Sequence, residues 1–286
     1  MTAQKKLTTQ FNNSTCTMYL NSSELLNEID DKSIHSVITS PPYVNLRKIG
    51  VHPDKYVEWF LPFAKSIKRV LVDNGNFILN INEIIIKGIV HPYIDDLKQS
   101  FRQIGLNQIA KPYIWYKTTA MPHKCSHRAI DRYEYCFWFS NGKGTFYRDH
   151  VRVPYAPITI KRVENSDVIS LGTRGEKGHK VFKKSSIDKR GALPNNVITL
   201  SPECNPRIKH SAPFPIGLPE WFIKSSTKDN DTVLDPFMGS GTTAIASLQN
   251  NRNVIGYEID KEPFDYSNER INDFIISNLQ ETLFKA

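Results

Sequence analysis

The sequence predicts an α/β protein whose sheet is mostly parallel, with helices on both faces. Three observations lead there. Short β-branched or aromatic runs alternate with amphipathic stretches along most of the chain. Two of the apolar runs end in turns rich in Pro or Gly, where α/β sheets carry their ligands. One quarter of the chain, residues 141–210, breaks the alternation and reads as an insertion.

The elements follow in order. Candidate strands are 36–40 (SVITS), 76–81 (NFILNI), 112–116 (PYIWY), 134–139 (EYCFWF), 232–235 (TVLD) and 253–258 (NVIGYE). Between the first two lies 55–72, KYVEWFLPFAKSIKRVLV, whose apolar residues recur at three and four and predict a helix packed on a sheet. Residues 89–104 and 241–250 predict helices in the same way. The alternating aromatic residues Tyr133, Tyr135, Phe137 and Phe139 predict a buried strand face rather than a stacking platform.

The bulk numbers set the class. A chain of 286 residues, 40% hydrophobic and 23% charged, is long enough for one large α/β domain or a domain with an insertion. It has no apolar run of eighteen residues, which excludes a membrane-spanning helix, and MTAQKKLTTQF lacks the apolar core of a secretion signal, so a cytoplasmic protein is expected. Cys16, Cys125, Cys136 and Cys204 have no paired spacing, so free thiols are expected. The net charge is +8, and residues 141–210, with 14 Lys/Arg against 6 Asp/Glu, account for all of it. A neutral body with one basic segment fits a scaffold carrying a polyanion-binding insert, although a solvated basic loop has the same composition. The expected organisation is 1–140, an insert at 141–210 and 211–286, with Lys183, Lys184, Lys189 and Arg190 as candidate phosphate contacts.

The segment 232–245, TVLDPFMGSGTTAI, joins a strand ending in an acid to a helix through a glycine turn. Gly239 and Gly241 let a ligand approach the backbone, and the helix starting near Thr242 points free N–H groups into the same space. Glu258, at the end of the next strand, is placed to accept hydrogen bonds from two ribose hydroxyls. A P-loop fails because Gly241 is followed by Thr242 instead of Lys. The match of GSGTTA to a dinucleotide turn leaves that reading open, as it does a plain structural turn.

Residues 37–43, VITSPPY, deliver Ser40, Pro41, Pro42 and Tyr43 to the carboxyl edge of the sheet. The lone pair of an exocyclic base amine is delocalised into the ring, and acceptors aimed at its N–H bonds localise it for attack. Two prolines stiffen the backbone and remove donors, so the Ser40 hydroxyl and the Pro41 carbonyl are candidate acceptors. Tyr43 offers a face on which a base can stack. A turn after a strand uses the same residue types.

Together, Asp235-Pro236-Phe237 before Gly239-Ser240-Gly241-Thr242 and the tetrapeptide Ser40–Tyr43 resemble the β group of DNA amino-methyltransferases, many of them from restriction–modification systems. In that group the tetrapeptide comes first and the glycine turn near the end, as here, and the resemblance covers nearly the whole chain. Trp115-Tyr116-Lys117 with Ala120-Met121-Pro122 looks like the family's W-x-K block. His210-Ser211-Ala212-Pro213-Phe214-Pro215 looks like the block that closes the methionine end of the cofactor site.

The resemblance implies a Rossmann-like S-adenosylmethionine-dependent methyltransferase fold, circularly permuted, with S-adenosylmethionine as cofactor and target recognition in the variable basic stretch. It implies cofactor contacts from Thr39, Asp235, Pro236, Phe237, Gly239, Ser240, Gly241, Thr242, Glu258 and Phe214. It also implies double-stranded DNA as partner, with a restriction endonuclease acting on the same sequence. The serine form of the tetrapeptide is commoner in cytosine-N4 enzymes and the aspartate form in adenine-N6 enzymes. Cytosine N4 is therefore the expected target, reached by base flipping, with adenine N6 as the alternative and a non-catalytic DNA-binding protein as a remote one. Where the family usually has Gly-Asp before the catalytic strand, this chain has Asn21 and Ser22, so adenine contact falls to Asn21. His123, Cys125 and His127 lack metal-ligand spacing, and no metal site is expected. Cys204 follows Glu203, not a proline, and is read as structural.

Overall fold

The computed structural model describes residues 5–43, 50–119, 128–164, 168–171, 180–183, 187–203 and 214–285, with the side chains of 162–183 and 281–285 outside the description. The strands are β1 (Lys5–Phe11), β2 (Ser14–Leu20), β3 (Ile34–Thr39), β4 (Leu71–Ile81), β5 (Ile85–Ile86), β6 (Ile89–Val90), β7 (Asn107–Gln108), β8 (Tyr113–Lys117), β9 (Tyr133–Ser140), β10 (Val168–Leu171), β11 (Lys180–Lys183), β12 (Val197–Leu200), β13 (Thr232–Asp235) and β14 (Asn253–Glu258). The helices are α1 (Tyr56–Val70), α2 (Tyr93–Gln103), α3 (Pro157–Glu164), α4 (Gly217–Ser226), α5 (Thr242–Gln249) and α6 (Lys261–Lys285).

The main sheet runs β1-β2-β14-β13-β3-β4-β9-β8-β12, with β7 on β9. Strands β2, β14, β13, β3 and β4 are mutually parallel, and β9 is antiparallel to both β4 and β8. The carboxyl ends of β2, β14, β13, β3 and β4 therefore share one edge with the start of β9 and the end of β8. Neighbouring residues of a strand serve opposite layers, as period two requires. Val37, Phe77 and Leu79 join a cluster with Tyr56, Phe60 and Ile67 of α1 and Tyr93, Leu97 and Phe101 of α2. Ile38 and Ile78 join Trp115, Trp138 and the α4 residues Leu218, Phe222 and Ile223. A third cluster packs α5 and α6 on β2 and β14 through Met18, Val254, Ile245, Phe264 and Ile271. The sheet thus has helices on both faces, as the strand–helix alternation predicts.

Helix α1 shows why its sequence folds this way. Tyr56, Phe60, Phe63, Ala64, Ile67 and Val70 are buried at spacings of three and four, with Lys68 and Arg69 in the last turn favouring the negative end of the helix dipole. Burying each large side chain stabilises by about 1.5–3 kcal/mol.

Some expectations need correction. The pattern at 89–104 is not one helix: Ile89–Val90 pair with Ile85–Ile86 in a short hairpin, and α2 starts only at Tyr93, after Pro92. Hairpin β1–β2 and helices α4 and α6 have no counterpart among the elements the sequence pattern predicts. The insert is shorter than 141–210. The separate compact unit is Tyr147–Asn195, and β12 returns to the main sheet as a parallel partner of β8.

Taken by itself, that unit contains α3, the antiparallel pair β10–β11 and a bridge between Val153 and Ala192. Its eleven Lys/Arg against five Asp/Glu carry most of the excess charge. Arg152 and Arg190 are not free cations. Arg190 grips Asp188 (Nη2–Oδ2 2.8 Å) and Asp149 (Nη1–Oδ2 2.7 Å), and Arg152 reaches the same two carboxylates. The Arg190 hydrogen bonds hold the Asp188 carboxyl well below its ordinary range, and those of Arg152 lower Asp149.

Candidate active site

Two clusters of functional residues lie along the shared sheet edge. The first is the glycine turn after β13. Asp235 ends that strand 1% exposed, and its oxygens are occupied: Thr39 Oγ1 donates to Oδ1 (2.6 Å), Thr243 Oγ1 to Oδ2 (2.6 Å) and the Phe237 N–H to Oδ1 (3.0 Å). Burial raises its pKa to about 6, while these three donors, which favour the ionised form, pull the other way. Thr39 and Asp235, the expected cofactor contacts, tie β3, β13 and α5 together at the base of the turn. The Phe237 ring packs among Trp59, Phe60 and Phe63 of α1, with its centroid 5.1 Å from that of Phe63. The Pro236 carbonyl accepts from buried Ser23 Oγ (2.6 Å).

The two glycines meet different demands. Both have positive φ, +53° at Gly239 and +78° at Gly241. A Cβ on Gly239 would meet only the Phe237 carbonyl at 3.8 Å, so the space beside it is open to a ligand. A Cβ on Gly241 would press on Ser267 Cβ at 3.1 Å, so that glycine admits α6 rather than a ligand. Glu258 staples the turn: its Oε2 accepts from the Gly239 N–H (3.0 Å) and its Oε1 from the N–H groups of Ile259 (2.9 Å) and Asp260 (3.0 Å). Asn21 lies alongside, donating its backbone N–H to the Glu258 carbonyl (2.9 Å) and its side-chain amide to Glu28 Oε1 (3.1 Å). At the start of α5, Ser240 and Thr242 hydroxyls lie 3.1 Å apart. Arg270 of α6 donates to Thr242 Oγ1 (2.8 Å) and to Glu203 Oε1 (2.6 Å), a brace with no marker in the sequence pattern. Phe214 lines a small apolar cavity with Ile38, Thr39, Asn80 and Phe222.

The second cluster is the tetrapeptide after β3. Ser40 Oγ donates to Tyr43 OH (3.2 Å), and the Pro42 carbonyl accepts from Tyr56 OH (3.0 Å), which pins the loop to α1. Tyr43 OH donates to Glu134 Oε2 (2.8 Å), with Asn80 Oδ1 also 3.2 Å away. Glu134 Oε1 in turn pairs with Lys117 Nζ (2.6 Å). Burial first, and then the charge of Glu134, push the Tyr43 phenol well above its usual pKa, so it stays a neutral donor. Motif reasoning misses Glu134 and Asn80. A signal for them is present: Glu134 is a buried acid in the aromatic run EYCFWF, and Asn80, like Asn76, is a buried polar residue in the run NFILNI.

Of the expected DNA contacts, only Lys189, which is exposed, and Arg190, which is engaged by two carboxylates, have described side chains; that of Lys183 is not described, and Lys184 lies outside the described residues. Residues 120–127 and 204–213, with His123, Cys125, His127, Cys204 and His210, also lie outside them. Cys16 and Cys136 are free and buried. Among the described residues no group of three potential metal ligands occurs, and no helix is long and apolar enough to cross a membrane.

A mostly parallel sheet carrying a braced glycine turn after β13, a carboxylate at the end of β14 and a Ser-Pro-Pro-Tyr loop after β3 is the arrangement of an α/β enzyme with its ligands at the carboxyl edge of the sheet. The chain belongs to the DNA methylase family that joins N6-adenine and N4-cytosine enzymes, whose model matches residues 34–269. Type II methyltransferase M.PvuII of Proteus hauseri is 31% identical over 86% of this chain and 80% of its own length. Orphan methyltransferase M.BamHII of Bacillus amyloliquefaciens is 29% identical over 87% of this chain and 92% of its own. Among solved structures, PvuII DNA methyltransferase (cytosine-N4-specific) superposes with TM-score 0.69 at 24% identity, over 94% of this chain and 92% of its own. A putative DNA modification methylase from Thermus thermophilus, complexed with S-adenosyl-L-methionine, superposes with TM-score 0.62 at 22% identity, over 90% and 93%. The protein is therefore a DNA methyltransferase with S-adenosylmethionine as methyl donor and a Rossmann-like methyltransferase fold.

Proposed function

We propose that the protein methylates the exocyclic N4 of cytosine in duplex DNA, at a specific sequence, after the base has been flipped out of the stack. The observation that carries this reading is Ser40: a neutral hydroxyl, not a carboxylate, stands at the start of the tetrapeptide, on the same edge as the open space beside Gly239. The family match and the cytosine-N4-specific relative support it.

The open space at Gly239 and the acid at Glu258 fit an S-adenosyl nucleoside. Gly239, Ser240, Gly241 and Thr242 form the turn beside it, Glu258 takes the ribose hydroxyls, and Asn21, Pro236, Phe237 and Phe214 border the pocket. When bound, the cofactor supplies an electrophilic methyl group. The chain's own residues do the rest. Ser40 Oγ and the Pro41 carbonyl accept the amine N–H bonds and localise the nitrogen lone pair, Pro42 keeps the loop rigid, and Tyr43 stacks on the base. No side chain forms a covalent bond to the DNA. The basic unit 147–195 binds phosphates, and a restriction endonuclease cutting the same sequence is the expected companion.

The deciding experiment is incubation of unmethylated DNA with enzyme and S-adenosylmethionine, digestion to nucleosides and mass spectrometry. N4-methylcytosine is expected, and N6-methyladenine as the sole product would overturn the base assignment. Ser40→Ala should slow methyl transfer by about 10²–10³-fold, as loss of one preorganised polar contact does. Wild-type rates in that variant would leave the Pro41 carbonyl as the main acceptor.

A further inference from the structure

The side chains behind the tetrapeptide form a hydrogen-bond chain with a fixed direction. Glu134 is 9% exposed, and its carboxylate, paired with the Lys117 ammonium at 2.6 Å, has acceptor atoms only. Tyr43 OH lies 2.8 Å from Glu134 Oε2 and 3.2 Å from Asn80 Oδ1. Asn80 faces it with oxygen because the amide nitrogen is committed to the Tyr135 carbonyl at 3.1 Å and the Cys136 sulfur at 3.7 Å. Both partners of the phenol are therefore acceptors, and its single proton points inward. Its oxygen is left to accept, and Ser40 Oγ, 3.2 Å away, must donate to it. With its one proton used behind the loop, Ser40 presents only lone pairs to the front. A base amine brings N–H donors, so this is the polarity the reaction needs. A serine hydroxyl that rotated freely would also populate orientations that aim its proton at the amine and repel it.

We propose that Glu134, held by Lys117, is a positioning residue for methyl transfer: through Tyr43 OH it fixes the Ser40 hydroxyl as a pure acceptor. This rests on the reading that Ser40 contacts the target amine, but not on which base is methylated. The arrangement also explains why a carboxylate sits in a strand of aromatic residues. Burying it unpaired would be costly, and Lys117 and Tyr43 together satisfy it.

The test is a double-mutant cycle on Glu134→Gln and Tyr43→Phe, read as single-turnover transfer of tritiated methyl groups into unmethylated phage DNA. Glutamine offers an N–H that can turn the chain round, and phenylalanine keeps the ring while deleting the hydroxyl. Each single variant should slow transfer by about tenfold or more, short of the 10²–10³-fold expected for removing Ser40's own hydroxyl. In the Tyr43→Phe background, Glu134→Gln should add nothing further, because its effect passes through the missing hydroxyl. Calorimetric affinity for S-adenosylhomocysteine should match wild type in Tyr43→Phe, whose melting temperature should fall modestly because buried Glu134 loses one partner, and Glu134→Asp should recover part of the rate. Multiplicative losses in the double variant, or a wild-type rate in Glu134→Gln, would overturn the inference. If Ser40→Ala also transfers at the wild-type rate, it is the underlying reading of Ser40 that fails. Loss in Glu134→Gln accompanied by a matching fall in cofactor affinity would mark a structural role only, and would equally overturn it.

Discussion

At the residue scale, Asp235 shows how much of a motif residue's task lies within the protein itself. The D-P-F prefix places it at the glycine turn, where burial and three donors make it a brace. Its pKa of about 6 lies above the ordinary 3.8, so the folded state holds this proton more tightly than the unfolded chain. Its contribution is most favourable below the unfolded value and is lost as pH rises through 6. Relative to Asp235→Asn, wild type should therefore gain stability as pH falls from about 6 towards 4, by up to about 3 kcal/mol at 1.36 kcal/mol per pKa unit. Chemical denaturation of both proteins across that range measures it, and a difference that stays flat with pH would refute it. The two glycines give a second contrast. Gly239→Val should weaken S-adenosylmethionine binding while leaving stability nearly intact apart from the cost of its positive φ. Gly241→Val should chiefly lower the melting temperature, because the side chain meets Ser267 and Ile271 of α6. Paired calorimetry and thermal melts separate the two effects.

At the element scale, the legible parts of the fold are those whose signal is local. Strands β3, β4, β9, β13 and β14 and helices α1 and α5 show their period in a short window, and the two motif turns sit where those strands end. Elements whose pattern depends on distant partners are harder to read. Strand β12 lies in a basic, proline-containing stretch and becomes a strand only because β8 offers it an edge. Hairpin β1–β2 begins with Lys5 and Lys6 and is rich in threonine, so its apolar alternation is faint, and β2 is held by pairing with β14. The Glu134–Tyr43–Ser40 chain joins two residues 3 positions apart to a third that lies 91 positions beyond Tyr43, and spacing alone cannot reveal it. The same distinction applies to charge. Arg190 and Lys189 look equivalent in sequence, but among the described residues carboxylates grip only Arg190 of the two. If the unit 147–195 holds phosphates, Lys161→Ala with Lys189→Ala should flatten the dependence of DNA affinity on salt, by about 0.9 for each phosphate no longer neutralised. Arg190→Ala should leave that slope nearly unchanged and instead open the unit to proteolysis. An equal change of slope in both variants would show that Arg190 leaves its carboxylates to bind DNA.

At the scale of the whole molecule, the sheet order governs how the two halves of the site meet. The Ser-Pro-Pro-Tyr loop follows β3, and the glycine turn follows β13, its immediate neighbour, although 196 positions separate Thr39 from the Asp235 oxygen it donates to. The late strands β13 and β14 lie between the early strands β2 and β3. Ending the chain after Arg252 removes β14 and α6, leaving β2 and β13 with unpaired parallel edges and the α5 face uncovered. That product should aggregate on expression, since exposed strand edges template pairing. Its recovery as a soluble, cooperatively melting monomer would contradict the central position of β14.

That topology also sets a clock. On the ribosome, β2 and β3 are synthesised early but cannot take up their final places until two strands yet to be made slide in between them. Elongation at about 5–20 residues per second puts roughly 10–45 s between the synthesis of Thr39 and that of Glu258. Throughout that interval the nascent chain contains the residues that would handle the base but no surface on which to place the methyl donor. A newly made molecule therefore becomes competent only after β14 has been synthesised, and fragments that stop short of it cannot modify DNA.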